Sequence, residues 1–355
     1  MNYLFYLGHP AHFHLFKNCI RILKEKNHNI HILIKKKDVL ENLLAETGWQ
    51  FTNILTEDRG NNNLAIGWAL LKREFGILKA AYQSNPDLMI GTSAEIAHMG
   101  KLLKIPSIVV NEDDVTAVPM FAKIAYPFAT HILAPDSCDV GKWSYKKVKY
   151  TGYHELAYLH PKYFQPSKVA VKELQKGGER YFILRFAKLT AHHDTGKKGI
   201  TTTIASKIIQ LLLPHGQVYI TSERKLEPEF EKYRIHLPPK DMHDALYYTD
   251  MYIGDSQTMA AEAAVLGTPS LRFNDFVGKL SYLEELEHKY GLTYGIKTNE
   301  SEKLFQKIKE WIHTPHLKEE WEIRKQKMLN ETIDVTSFMV WLLENFPKSV
   351  SLNIV

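Results

Sequence analysis

Apolar residues fall in short dense clusters along the chain, and between the clusters they recur every three or four positions. In the first half the clusters at residues 3–7, 30–34, 88–90, 107–110 and 131–133 read as buried strands, and 13–26, 39–47, 64–83 and 94–103 carry helical spacing. The second half repeats the scheme, with strands at 181–184, 218–221, 251–253 and 269–272 and helices at 200–213, 242–248 and 256–266. Strands that alternate with helices predict mostly parallel sheets covered on both faces. The expected class is therefore α/β, with two doubly wound domains. Gly152, Pro161 and Pro166 break the pattern near the middle, which sets a first domain at 1–165 and a second at 166–334. From 301 to 346 the spacing is helical, with tryptophans at Trp311, Trp321 and Trp341.

The turn after the strand at 251–253 concentrates polar groups. Gly254 and Asp255 end that strand, and Ser256, Gln257 and Thr258 open an alanine-rich helix that stops at Gly267 before Pro269. The first turn of a helix has unpaired N–H groups and a partial positive charge, so it stabilises an anion such as a diphosphate. The Ser256 and Thr258 hydroxyls can add donors. Glu262, one turn beyond Thr258, shares that face and can accept hydrogen bonds from a ribose diol. The alternative is an Asp or Ser cap on an ordinary crossover helix, with Glu262 merely solvated.

This segment resembles the donor-nucleotide motif of the GT-B superfamily, especially that of the UDP-N-acetylglucosamine 2-epimerases. There a Ser at the helix start meets the diphosphate and a Glu six residues later meets the ribose, the spacing of Ser256 and Glu262. Gln257 and Thr258 stand where that motif has two glycines. Residues 235–246, with His236 in their loop, resemble the superfamily's loop and helix over the nucleotide base. The pairing of Thr151-Gly152-Tyr153-His154-Glu155 with Arg185-Phe186 and Ala191-His192-His193-Asp194 is similar to a poorly characterised, glycosyltransferase-like bacterial and archaeal family within the superfamily. The resemblance implies a GT-B fold: two Rossmann-like domains facing an interdomain cleft, the second holding the nucleotide. It also implies a final helix, at 335–355, that crosses back onto the first domain.

Ligands of open α/β sheets sit beyond the carboxyl ends of the strands, where strand order reverses. Gly8-His9-Pro10-Ala11-His12-Phe13-His14 follows the first strand, and His9 with His12 could serve as general bases toward an acceptor hydroxyl, or His12 or His14 could only cap or cover the next helix. Glu112, in Asn111-Glu112-Asp113-Asp114, is a second candidate for base or sugar-orienting group. Arg185, Lys188, His192 and His193 leave the first strand of the second half, where related sugar enzymes bring basic groups to the donor diphosphate. Arg272 ends the strand after the Glu262 helix and is a further diphosphate candidate. Asn274-Asp275-Phe276 beside it could touch sugar hydroxyls or be only a turn. The 2-epimerases place a carboxylate after the glycine matching Gly91, and here the residue is Thr92. That absence favours a glycosyltransferase taking sugar from a UDP-linked donor, for surface-polysaccharide or glycolipid assembly. A non-hydrolysing UDP-sugar 2-epimerase and a non-catalytic nucleotide-sugar binder are the alternatives. The nucleotide sugar is then a substrate, its partner a glycan or lipid-linked acceptor, and no cofactor or metal is expected.

Composition narrows this picture. The 355 residues carry a net charge of +5, too little to argue for nucleic acid. Cys19 and Cys138 are the two cysteines, which exclude a disulfide framework and fit a reducing compartment, so a cytoplasmic location is expected. The weakly polar run 115–135 is interrupted by Pro119, Lys123, Pro127 and His131 and cannot span a bilayer. Lys35-Lys36-Lys37 and Trp143-Ser144-Tyr145-Lys146-Lys147 could rest on anionic lipid at the inner membrane face, or be solvated surfaces.

Overall fold

A computed structural model describes residues 1–35, 38–55, 63–175, 180–187 and 199–351. The chain divides into two compact units, Met1–Tyr163 together with the segment from Ile333 onward, and Phe164–Thr332.

The first unit is built from β1 (Asn2–Leu7), α1 (Pro10–Glu25), β2 (Asn29–Lys35), α2 (Asp38–Thr47), β3 (Thr52–Leu55), α3 (Asn63–Ser84), β4 (Leu88–Gly91), α4 (Ala94–Leu103), β5 (Ser107–Val110), α5 (Pro119–Ala125), β6 (His131–Pro135), β7 (Lys147–Tyr150) and α6 (Leu156–Leu159). Its seven strands are parallel in the order β3-β2-β1-β4-β5-β6-β7. Strand order reverses between β1 and β4, which opens a crevice at their carboxyl ends. Both faces of the sheet are covered, so β1, β4 and β5 are apolar along nearly their whole length. Pro10 suits the first turn of α1, whose buried Phe13, Phe16, Ile20 and Leu23 recur at helical spacing on one face. Each such side chain contributes roughly 1.5–3 kcal/mol by burial.

The second unit follows with β8 (Tyr181–Phe186), α7 (Thr202–Leu212), β9 (Gln217–Ser222), α8 (Met242–Tyr248), β10 (Met251–Gly254), α9 (Gln257–Val265), β11 (Ser270–Phe273), α10 (Ser281–His288), β12 (Thr293–Ile296), α11 (Ser301–His313) and α12 (Leu317–Glu331). Its strands are also parallel, in the order β12-β11-β10-β8-β9, and the reversal lies between β8 and β10. The chain then returns to the first unit as α13 (Val335–Glu344) and α14 (Lys348–Ser351). Asp334 caps α13 by accepting the Ser337 N–H at 2.8 Å, and Thr336 Oγ1 donates to the Ala157 carbonyl at 2.7 Å, seating the helix against α1 and α6.

Several elements depart from the periodicity reading. Strands β3, β7 and β12 do not stand out in the sequence, and each is a sheet edge. An edge strand has one open side and needs no continuous apolar run; β7 reads Lys-Val-Lys-Tyr. The helical stretch at 301–346 is three helices, broken where His316 takes the left-handed conformation with φ 55° and again before Asp334. Helices α5 and α10 were not expected. The carboxyl end of α5 is closed from a distance: Lys146 Nζ donates to the carbonyls of Tyr126 (2.9 Å), Pro127 (2.9 Å) and Ala129 (2.7 Å). Lys147 Nζ likewise reaches the Asp136 and Cys138 carbonyls.

Lys146→Met removes the donor to three carbonyls while keeping the apolar stem. It is expected to destabilise the protein by about 2 kcal/mol, read as a lowered midpoint in urea unfolding.

Candidate functional site

The switch point of the second unit is organised by Asp255, the residue after β10. It is 1% exposed, and its carboxylate accepts the Ala187 N–H at 2.6 Å and the Ile200 N–H at 3.0 Å. One carboxylate thus ties the residue after β8 and a residue just before α7 to the end of β10. A side chain at position 199 would collide with that carboxylate, which explains Gly199. Burial pushes the Asp255 carboxyl up to about 6, against the lowering effect of the two N–H bonds.

The helix that follows begins as the sequence suggests. Ser256 is the N-cap of α9, its hydroxyl accepting the Met259 N–H at 3.4 Å, and Ser256, Gln257 and Thr258 remain partly exposed while 259–265 are buried. Asn274 Nδ2 donates to the Asp255 carbonyl and to Gln257 Oε1, both at 3.2 Å, and its Oδ1 accepts the Phe276 N–H. Asn274 is 1% exposed and braces this turn; the expected contact with sugar hydroxyls is not the role its bonds give it. Glu262 is turned inward, with Oε1 3.1 Å from His243 Nε2 of α8. The bond ties α9 to the helix that follows the exposed loop residue His236. His243 carries no sequence signal of its own, because its partner is distant along the chain.

Arg185 stands beside Gly254 in the β8–β10 register, donating to Thr221 Oγ1 at 2.8 Å and pairing with Glu223. Arg224, unmarked by the sequence, donates to the Ile200 carbonyl at 2.7 Å and lies over the Phe186 ring. Each of these arginines has a buried Nε–H without an acceptor among the described residues. Arg272 is a correction. Its guanidinium is 1% exposed and pairs with Glu284 at 3.3 Å and Glu287 at 2.5 Å, bolting β11 to α10 and removing it from the set available to a diphosphate. The sequence reading lacked α10 and so lacked both partners. Lys188, His192 and His193 lie outside the described residues.

In the first unit the reversal between β1 and β4 brings His9, His12 and Thr92 together. His9 is the N-cap of α1, its Nδ1 accepting the Ala11 N–H at 3.2 Å, and His12 Nδ1 accepts the Gly8 N–H at 3.0 Å. Those bonds place the proton of each neutral ring on Nε2, so the rings are arranged to donate, and the general-base role would need the atom already receiving an N–H. The Thr92 hydroxyl lies 2.7 Å from the His12 ring and links the β1 and β4 loops. Glu112 follows β5, with Oε2 3.3 Å from His154 Nδ1. Burial lowers His154 to about 4, although Glu155 and Asp113 act to raise it, so this contact joins a carboxylate to a neutral imidazole. Trp143 is buried, and Lys146 and Lys147 are engaged by carbonyls, so the expected lipid contact does not rest on them; Lys36 and Lys37 lie outside the described residues. No group of three His, Cys, Asp or Glu among the described residues could hold a metal ion, and no helix among them is long and apolar enough to cross a membrane.

The family described as "Protein of unknown function (DUF354)" matches residues 4–340, and the chain belongs to it. No curated protein matches the chain. Among solved structures it is similar to a putative UDP-N-acetylglucosamine 2-epimerase from Listeria monocytogenes, with TM-score 0.70 and 13% identity over 97% of this chain and 96% of that one. The UDP-GlcNAc 2-epimerase from Neisseria meningitidis, bound to UDP-GlcNAc, gives 0.66 and 13% over 97% and 100%. A spinosyn rhamnosyltransferase complexed with thymidine diphosphate gives 0.64 and 15% over 97% and 100%. Identities this low speak for the fold: the chain has the α/β GT-B fold, with two parallel-sheet domains.

Two stability outcomes follow from the site. The ordinary Asp pKa is 3.8 and the native value about 6, so stability from the native proton is full below 3.8 and is lost as pH rises through 6, a fall of about 3 kcal/mol. The stability difference between the native protein and Asp255→Asn, measured by urea unfolding from pH 4 to pH 7, should shrink by about that amount; a flat difference contradicts the assignment. Arg272→Met breaks a buried pair on one side and should destabilise by about 3–5 kcal/mol in the same measurement.

Proposed function

We propose that this member of the family is a glycosyltransferase that takes sugar from a nucleotide donor, UDP-linked, and acts in surface-polysaccharide or glycolipid assembly. The observation that carries the reading is the start of α9: a Ser-capped N-terminus at the switch point of a parallel sheet, with Glu262 six residues on and oriented by His243. The partial positive charge of that helix end suits a diphosphate, and the hydroxyls of Ser256 and Thr258 suit its oxygens. Arg185 and Arg224 supply cations near the same turn for the charge that grows on a departing nucleoside diphosphate. His236 belongs to the loop proposed to lie over the base, and Lys188, His192 and His193 complete the proposed donor set.

For the acceptor, Glu112 is the proposed general base. The neutral imidazole of His154 lies beside it, Nδ1 3.3 Å from Oε2. His9, at the N-cap of α1, and His12, bonded to the Gly8 N–H and to Thr92, are proposed to position the acceptor side. Thr92 supports transfer over 2-epimerisation, because a hydroxyl bonded to an imidazole is a poor proton acceptor at a sugar carbon. The acceptor is proposed to be a glycan or a lipid-linked sugar and the setting the cytoplasmic face of a membrane; the nucleotide sugar is substrate, and no cofactor is invoked.

Calorimetric titration with UDP tests the donor site. Binding is expected, and Glu262→Gln should weaken it about tenfold; no heat at millimolar UDP removes the reading. Glu112→Gln should leave that affinity unchanged while abolishing acceptor-dependent UDP release from UDP-sugars. Conversion of a UDP-sugar to its 2-epimer without any acceptor would instead identify an epimerase.

A further inference from the structure

Helices α3, α4 and α5 lie side by side on one face of the first unit's sheet. Their outer surface is unlike the rest of the molecule. Phe75 (68% exposed), Tyr82, Leu102, Met120 (66%), Ile124 and Phe128 all stand open to solvent, nearly half of the large hydrophobic side chains so exposed among the described residues. Those of α4 and α5 are contiguous: His98 of α4 bonds the Ile124 carbonyl at 2.7 Å and packs edge-on against Phe128 at 4.9 Å, while Leu102 lies one turn beyond His98 and Met120 one turn before Ile124.

The exposed charges on these helices have one sign. Within residues 72–84, 94–104 and 119–128 every exposed charged side chain is a lysine, with Lys79, Lys101, Lys104 and Lys123 among them. The two carboxylates in those segments are drawn inward, Glu74 to His98 at 2.6 Å and Glu95 to Arg73. A surface that interleaves bulky apolar groups with lysines and withholds its acids matches one partner chemistry, a bilayer with anionic headgroups above hydrocarbon.

We propose that the α3–α4–α5 face docks the protein on an anionic membrane surface. Met120, Ile124 and Phe128 enter the headgroup boundary and the lysines meet lipid phosphates. The aliphatic members favour lipid over nucleic acid, which would call for stacking surfaces. A second copy of the chain is disfavoured, since pairing this face with itself would oppose lysines to lysines. Docking here requires nothing of the nucleotide site, so its test is independent of the UDP titration.

The test is co-sedimentation of the full chain with vesicles of phosphatidylglycerol mixed equally with phosphatidylcholine, against phosphatidylcholine alone, without nucleotide. Binding is expected on the anionic vesicles and should fall with salt. Lys101→Ala with Lys123→Ala should weaken it about thirtyfold, taking about 1 kcal/mol for each lysine. Met120→Ser with Ile124→Ser should weaken it as well, whereas the matched charge loss Lys225→Ala with Lys309→Ala in the second unit should not. All these positions are exposed, and unchanged circular dichroism and melting temperature will confirm that the variants fold. No sedimentation with anionic vesicles overturns the proposal, as does binding lost equally in the second-unit control. Self-association abolished by the same substitutions, in a protein that ignores vesicles, overturns it in favour of a second copy.

Discussion

The Asp255 carboxylate is the constraint on which the second unit's crevice depends. Its two acceptor oxygens hold the N–H groups of Ala187, just after β8, and Ile200, just before α7. Arg224 joins the same arrangement from the far side through the Ile200 carbonyl, and Asn274 through the carbonyl of Asp255 itself. Taking an acid this far out of water is costly, which is why its pKa rises to about 6 despite two backbone donors. A strand end held so tightly gives the next residues a fixed direction, and those residues are the cap and first turn of α9.

The first unit stitches its reversal point with different chemistry. There the link between the β1 and β4 loops is the contact between the Thr92 hydroxyl and the His12 ring, which is also fixed by the Gly8 N–H. Glu112, elsewhere in that unit, stands beside an imidazole, His154, that burial keeps neutral. The two crevices are thus organised differently, one by a desolvated acid near arginines, the other by a histidine–threonine contact.

What the sequence made legible follows the same physics. Interior strands such as β1, β4, β5 and β10 announce themselves because both faces must be apolar, whereas β3, β7 and β12 form sheet edges and carry no such requirement. The start of α9 was readable since a cap and its helix are local. Arg272 was misread for the opposite reason: a basic residue at a strand end looks like a ligand group until the two carboxylates of α10 are known to lie against it. His243 was invisible on the same ground, as its meaning comes from Glu262, which only the packing of α8 on α9 brings near.

The position of Gln257 and Thr258, where the resembled motif has two glycines, is where local reading and packing had to be combined. A long side chain at the first helical position would be expected to stand in the path of an anion approaching the backbone. Here the Gln257 amide is drawn to Asn274, on the side of β11, by the same asparagine that braces the Asp255 carbonyl. The residue following β11 therefore holds the first side chain of α9 while it fixes the turn that leads into that helix. Glycine is one way to keep bulk from a helix start, and a side chain tied down by a buried partner is another. The Gln257 side chain is thus held by Asn274, which braces the same turn.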